Sequence, residues 1–344
     1  MSTRLGAECA VIGALMCAGF FCDKALAEDC KPLALIASVD LVPAGQKTAE
    51  FVPVEIQGKP KLMLLDTGGG YTEITGQTVD ELGLQRRRSS VRSYDVAGNY
   101  SDQFAEASLK LGGLTANKVA FVVAEETLQI GKNELIGGIL APDILKHYDV
   151  SIDFGADKLS LLSQDHCEGK VVYWPATAVA VVPMRVLASG HIVVSVMLDG
   201  HATTAILDTG ATRSTLKQPA AESDFGLKLG SADTPHSGEL LGQAGTDTYR
   251  HTFKSLAFEG IAVNNLSVEI IPDRLGHLLG NRPEIGTLIA DPKYSDVQPE
   301  MLIGMDVLKH LHLYIAYKEE KLYITAAGEP ASPSAPNGAP PAGN

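Results

Sequence analysis

No stretch of this chain beyond residue 22 is long and apolar enough to span a bilayer, which takes about 20 apolar residues, and the common catalytic signatures are missing too. HExxH, paired CxxC, GxSxG and GxxxxGK followed by Ser or Thr do not occur, so zinc-hydrolase, dithiol, α/β-hydrolase and P-loop chemistry lack their residues. Positive charge is scarce. Twenty-eight Lys+Arg against 41 Asp+Glu leave a net charge of −13, which argues against nucleic acid or an anionic membrane surface as partner because like charges repel. His166-Cys167 is a pair of adjacent metal-binding side chains without a partner cluster and reads as an ordinary loop, so neither metal nor cofactor is expected. What is present, 45% hydrophobic residues, 20% charged residues and 34 glycines, describes a globular chain rich in turns.

The two ends do not belong to the fold. Cys9 to Cys22 is an uncharged apolar run of 14 residues, preceded by Arg4 and followed by Ala25-Leu26-Ala27, the small-x-small pattern of a signal-peptidase site. Residues 1–27 therefore read as a secretory signal, the competing possibility being a membrane anchor, and the remaining chain as exported, periplasmic or secreted, with no membrane span. Removing 1–27 leaves Cys30 and Cys167 in an oxidising compartment, where they are either one disulfide or two unrelated buried cysteines. Residues 328–344, rich in Pro, Ala, Gly and Ser, cannot bury enough surface to order and read as a flexible tail.

Between these ends one unit is written twice. GKPKLMLLDTG (58–68) and GHATTAILDTG (200–210) place Asp66 and Asp208 142 positions apart. A second echo links 139–162 with 302–325, where Asp143, Leu145, Lys146, His147, Ile152, Lys158 and Leu159 recur at +163. A lone Asp-Thr-Gly is common in turns; a shared order over more than a hundred residues is a domain duplication, since solenoid repeats are far shorter. Short β-branched runs such as Phe51 to Ile56, Ile192 to Leu198 and Leu311 to Tyr317, punctuated by Gly58-Lys59 and Asp199-Gly200, predict a mainly β chain in two lobes, 28–165 and 166–327. Short helices are expected at Thr78–Leu84, Asp143–His147, Lys217–Phe225 and Asp306–His310. His147 and His310 would cap helix carbonyls, and Arg86 to Arg88 would form an exposed loop.

An apolar strand ending at Asp puts a carboxyl at the rim of a core, and Thr-Gly then permits a tight turn that brings backbone amides to it. One such loop is only a turn. Two, facing each other across a pseudo-twofold axis, can hold two carboxyls that share a proton over one water: the ionised member draws a proton from the water and the protonated member polarises a substrate carbonyl.

LLDTGGG and AILDTGA resemble the active-site loops of aspartic proteases, and the lobe order over about residues 45–326 is similar to bacterial retropepsin-like families fused into one chain as in pepsins. The resemblance implies two homologous β-barrel lobes, a catalytic pair Asp66 and Asp208, Thr67 and Thr209 hydrogen-bonding across the lobe interface, and Gly68 and Gly210 allowing close backbone approach. It also implies an apolar-apolar-Gly element behind each loop. Leu302-Ile303-Gly304 fits; Ile139-Leu140-Ala141 carries a Cβ where the family has none, a departure that would distort the first loop unless Gly137-Gly138 absorbs it. A hairpin flap would come from Tyr94–Tyr100 or Ser237–Thr246, with Tyr94 and Tyr100 as substrate contacts or plain cross-strand packing. Residues 272–299 read as a surface excursion, the alternative being a lid. The function implied is an exported aspartic endopeptidase acting as a monomer on polypeptide; the alternative is a weak or inactive peptide-binding module.

Overall fold

The computed structural model describes residues 30–94, 100–124, 135–176, 178–187, 190–240, 245–272 and 299–328. The expected signal at 1–27, the excursion at 273–298, the flap tips at 95–99 and 241–244 and the tail from 329 lie outside the described residues. No helix among the described residues is long and apolar enough to cross a membrane.

The fold is mainly β, and its two halves repeat the same unit. The first contains β1 (Leu35–Asp40), β2 (Val42–Ala44), β3 (Ala49–Ile56), β4 (Lys59–Leu65), β5 (Glu73–Thr75), α1 (Gly76–Glu81), β6 (Arg86–Tyr94), β7 (Tyr100–Leu111), β8 (Leu114–Ala124), β9 (Ile136–Leu140), α2 (Pro142–Leu145), β10 (Asp149–Asp153) and β11 (Lys158–Leu162). The second contains β12 (Ala180–Val186), β13 (Ile192–Leu198), β14 (His201–Leu207), β15 (Thr215–Lys217), α3 (Gln218–Ser223), β16 (His236–Glu239), β17 (Asp247–Phe258), β18 (Ile261–Ile271), β19 (Met301–Ile303), α4 (Met305–Leu308), β20 (Leu311–Ala316) and β21 (Lys321–Ala326). From β3 to β11 each element has its counterpart between β13 and β21. The hairpins β3–β4 and β13–β14 turn in the same way, through Gln57 (φ 50°) with Gly58 (φ 72°) and Asp199 (φ 44°) with Gly200 (φ 83°). Two successive positive φ values match the right-handed twist of the flanking strands.

The expected boundary at 165 and 166 falls between β11, which ends at Leu162, and β12, which begins at Ala180, and one sheet joins strands from both sides of it. A continuous run of strands, β1-β11-β10-β20-β21-β12, takes three members from each half and reads the same from either end about the β10–β20 seam. Val150 pairs with Ile315 there and Ile152 with Leu313, all four fully or almost fully buried. β20 is buried along its whole length and β10 up to its last residue, with Val150, Ile152, Leu313 and Ile315 on one face and the polar Asp149, Ser151 and His312 on the other, so two such strands are covered best by lying side by side between the lobes.

Cys30 and Cys167 are joined by a disulfide with Cα atoms 4.8 Å apart, tying the first described residue to the connection between the halves. His166 beside it is no idle loop residue. Its Nε2 lies 2.6 Å from Asp149 Oδ2, and the same buried carboxyl accepts from Tyr314 Oη (3.2 Å) and the Tyr317 amide (3.1 Å). Three donors from distant segments satisfy one acid that would otherwise be costly to bury.

Other expectations need correction. Arg86 to Arg88 lie in β6 rather than a loop, with Asp80, Glu106 and Asp102 as ionic partners. His147 and His310 are exposed, and their backbone amides, not their rings, bond to the carbonyls of Ile144 and Val307. The helices are too short to leave a carbonyl that the turn itself does not reach.

Candidate active site

Each Asp-Thr-Gly loop begins where a buried strand is pinned from outside its own hairpin. β4 runs parallel to β9 and β14 parallel to β19, and the ladders continue one step further, with the Asp66 amide donating to Leu140 O (3.0 Å) and the Asp208 amide to Ile303 O (2.9 Å). The chain then turns sharply. Gly68 N–H donates to Asp66 Oδ1 (2.9 Å); in the second loop Gly210 N–H (2.8 Å) and Ala211 N–H (3.1 Å) donate to Asp208 Oδ1.

The threonines lock the loops to each other. Thr67 Oγ1 donates to Leu207 O (2.8 Å) and accepts from the Thr209 amide (3.1 Å); Thr209 Oγ1 donates to Leu65 O (2.7 Å) and accepts from the Thr67 amide (3.0 Å). Both side chains are buried, so these four bonds are shielded from competing water. They bring Asp66 and Asp208 into hydrogen-bond contact. The glycines are required by space: a Cβ on Gly68 would stand 2.2 Å from Asp208 Cγ, and one on Gly210 2.5 Å from Asp66 Cγ.

Behind each loop a second motif recurs that the sequence did not reveal. Thr72 Oγ1 donates to Asp143 Oδ1 (2.6 Å) and accepts from the Ala141 amide (3.1 Å); Ser214 Oγ donates to Asp306 Oδ1 (2.6 Å) and accepts from the Gly304 amide (3.1 Å). Asp143 and Asp306 were visible as repeated letters. Thr72 and Ser214 are also 142 positions apart, but the match is of hydroxyls rather than of residues.

Ala141 does not distort the first loop. Its methyl is accommodated by Gly69, where an added Cβ would meet it at 3.3 Å, and not by Gly137-Gly138. In the second copy the small residue has changed places: Ala211 follows the Asp-Thr-Gly, and Gly304 could not carry a Cβ because the Arg213 carbonyl carbon would be 2.6 Å away.

Burial pushes both carboxyls upward, Asp208 well above the usual range because the neighbouring Asp66 charge adds to it, while the hydrogen bond from Asp208 offsets part of the rise at Asp66. Two like charges in contact cannot both persist. The pair therefore shares one proton and titrates as a unit, with Asp208 the member pushed further toward its protonated form.

A further side chain reaches this pair, one that no motif or repeat marks. His191, 3% exposed, places Nε2 2.7 Å from the Gly68 carbonyl oxygen, and burial holds its pKa below the ordinary histidine value.

The backbones of Tyr94 and Tyr100 pair in register at the end of the described β6–β7 ladder, and Ser237 to Glu239 lie in β16 against β17. Among the described residues no three His, Cys, Asp or Glu side chains gather as a metal site would need.

Compared with known proteins, the chain matches the family model described as aspartyl protease over residues 52–143 and 194–307. No curated protein matches. Similar solved structures include basic 7S globulin from soybean (8% identity, TM-score 0.49, 86% of this chain and 99% of that one) and conglutin gamma, a basic 7S globulin from lupine seeds (9%, 0.48, 86% and 95%).

Proposed function

The chain belongs to the aspartyl protease family, and from that premise we propose that it is an exported aspartic endopeptidase hydrolysing extended polypeptide as a monomer. The observation that carries the proposal is the contact of two buried carboxyls, held by reciprocal threonine bonds between the halves. A module that only bound peptide would gain nothing from two buried acids destabilising each other. Export is supported by the apolar run at 9–22 and by the Cys30–Cys167 bridge, which persists in oxidising compartments.

Asp66, ionised, is the base: it takes a proton from a water whose oxygen attacks the scissile carbonyl carbon. Asp208 gives its proton to the carbonyl oxygen, producing a tetrahedral diol. Collapse of the diol breaks the C–N bond, Asp66 passes its proton to the departing nitrogen, and Asp208 recovers one from the hydroxyl. The products are one carboxyl and one amine, and the dyad returns to its starting protonation.

Incubating the mature chain with a mixed peptide library, with and without pepstatin, tests this. Cleavage blocked by pepstatin and lost in both Asp66→Asn and Asp208→Asn, with circular dichroism unchanged, is the expected result. Wild-type turnover in either variant would overturn the shared dyad. A well-folded chain that binds peptides from the library without cutting them would replace the peptidase with a binding module.

A further inference from the structure

We propose that His191 is a positioning residue that makes Asp66, and not Asp208, the base of the dyad by hydrogen-bonding the Gly68 carbonyl; the catalytic half of this statement rests on the peptidase reading above.

A carbonyl oxygen only accepts, so the 2.7 Å contact places a proton on His191 Nε2. The oxygen it holds belongs to the peptide unit whose other end is the Gly69 N–H, and that N–H points at Asp66 together with the Gly68 N–H. Drawing electron density toward the oxygen strengthens the N–H donor at the opposite end of the same plane. The chain His191 Nε2–H, Gly68 C=O, Gly69 N–H, Asp66 thus stabilises negative charge on one aspartate.

The second loop lacks the counterpart. His191 precedes Asp208 by 17 positions, and the residue 17 before Asp66 is Ala49, whose methyl cannot donate. The two halves are otherwise closely matched around the dyad, so the ring is a specific break in the symmetry. Its placement is built rather than incidental. Gly190 has φ 91° and a Cβ there would stand 2.5 Å from Pro142 Cβ, so the chain passes tightly against α2. The Leu187 amide then bonds His191 O (3.0 Å) just before β13 begins. A residue of the second half is thereby delivered to the loop of the first.

Among the described residues the ionisable groups facing the ring are Asp66 and, through it, Asp208; Lys146, just after α2, lies beside Gly190. Burial opposes a charge on the ring, and Asp66 favours one. Neutral or charged, Nε2 remains a donor, so the bond to Gly68 persists across the working range.

Three proteins decide the matter: wild type, His191→Gln, which keeps an N–H at the same reach, and His191→Phe, which keeps a ring without the donor. In the Phe variant the acidic limb of the pH–rate profile should move up by about 0.5–1 pH unit, the worth of one hydrogen bond, while the Gln variant keeps the wild-type limb. An unmoved limb in a folded Phe variant, or equal shifts in both, overturns the proposal. Nitrogen NMR of the ring needs no turnover. It should show Nε2 protonated in the wild type, with the ring signals following Asp66 ionisation and ceasing to do so in Asp66→Asn. An Nδ1-protonated ring refutes the positioning role outright. Linkage between His191 and Asp66 in a chain without peptidase activity would leave the asymmetry standing and remove only the function.

Discussion

Adding one methyl group at Gly68 should disable the site without disturbing anything else. The alanine Cβ would lie 2.2 Å from Asp208 Cγ and 2.5 Å from each carboxyl oxygen. Carbon atoms in contact prefer about 3.5 Å, so the carboxyl, the loop or both must retreat by about 1.3 Å. A displacement of about 1 Å at reacting groups costs roughly 10²-fold in rate, or about 2.7 kcal/mol in the barrier. The mirror change Gly210→Ala meets Asp66 Cγ at 2.5 Å and should behave alike. Two controls grade the effect. At Gly69 an added Cβ would meet Asp66 Oδ2 at 3.1 Å and the Ala141 methyl at 3.3 Å, a squeeze that should lower kcat/KM only a few-fold. At Gly58 nothing lies within 4 Å and φ is 72°, so alanine there should lower stability by about 1 kcal/mol from backbone strain and leave kcat/KM unchanged. The assay is kcat/KM on one cleaved peptide beside thermal melting of all four variants. Gly68→Ala retaining kcat/KM within about threefold of wild type would refute the steric account.

Glu50 is fully buried with no hydrogen-bond partner for either carboxyl oxygen among the described residues, and burial together with the Asp157 charge pushes its pKa to about 7 against an ordinary 4.5, Lys47 opposing. A raised folded pKa means full stability below about 4.5 and loss on climbing to about 7, worth up to about 3 kcal/mol; Glu50→Gln should flatten that slope, and a urea-stability curve against pH parallel to wild type would disprove it. Ala211 already donates its amide to Asp208 Oδ1 (3.1 Å), and Ala211→Ser adds a hydroxyl donor that should lower the dyad's apparent pKa and carry the pH–rate optimum from mildly acidic toward more acid; an unmoved optimum in an active variant counts against this. Replacing both Cys30 and Cys167 with Ser opens a loop of 137 positions and should cost up to about 5 kcal/mol in urea unfolding while leaving kcat intact; a loss of kcat would show that the bridge shapes the site.

The dyad was legible because its letters repeat: Asp66 and Asp208 sit in matching loops, and no other arrangement of the chain explains two such copies. Asp143 and Asp306 were legible as letters only. Their task depends on Thr72 and Ser214, different residues with one shared hydroxyl, and nothing local marks a hydroxyl as the holder of an amide behind a loop. His191 could not be found by repetition at all, because it works by being absent from the other copy. The β10–β20 seam was hidden for a different reason: alternation along a strand reports which face is buried, whereas the identity of a partner more than a hundred residues away is a property of tertiary packing. Arg86 to Arg88 misled because three like charges suggest a solvated loop, yet carboxyls on neighbouring segments let them stand on a strand.

The palindromic run of strands between the halves also sets a clock. β10 leaves the ribosome with β9 and the complete first loop already made, but its partner β20 is residues 311–316, and β21 follows almost at the end of the described chain. Pairings this distant in sequence form late, after the local hairpins have closed. The first aspartate, folded into its own hairpin, therefore precedes the strands that complete the seam by more than a hundred residues of synthesis. An unfinished chain carries its two acids apart; under the peptidase reading proposed above, the delay in assembly would act as a safety catch.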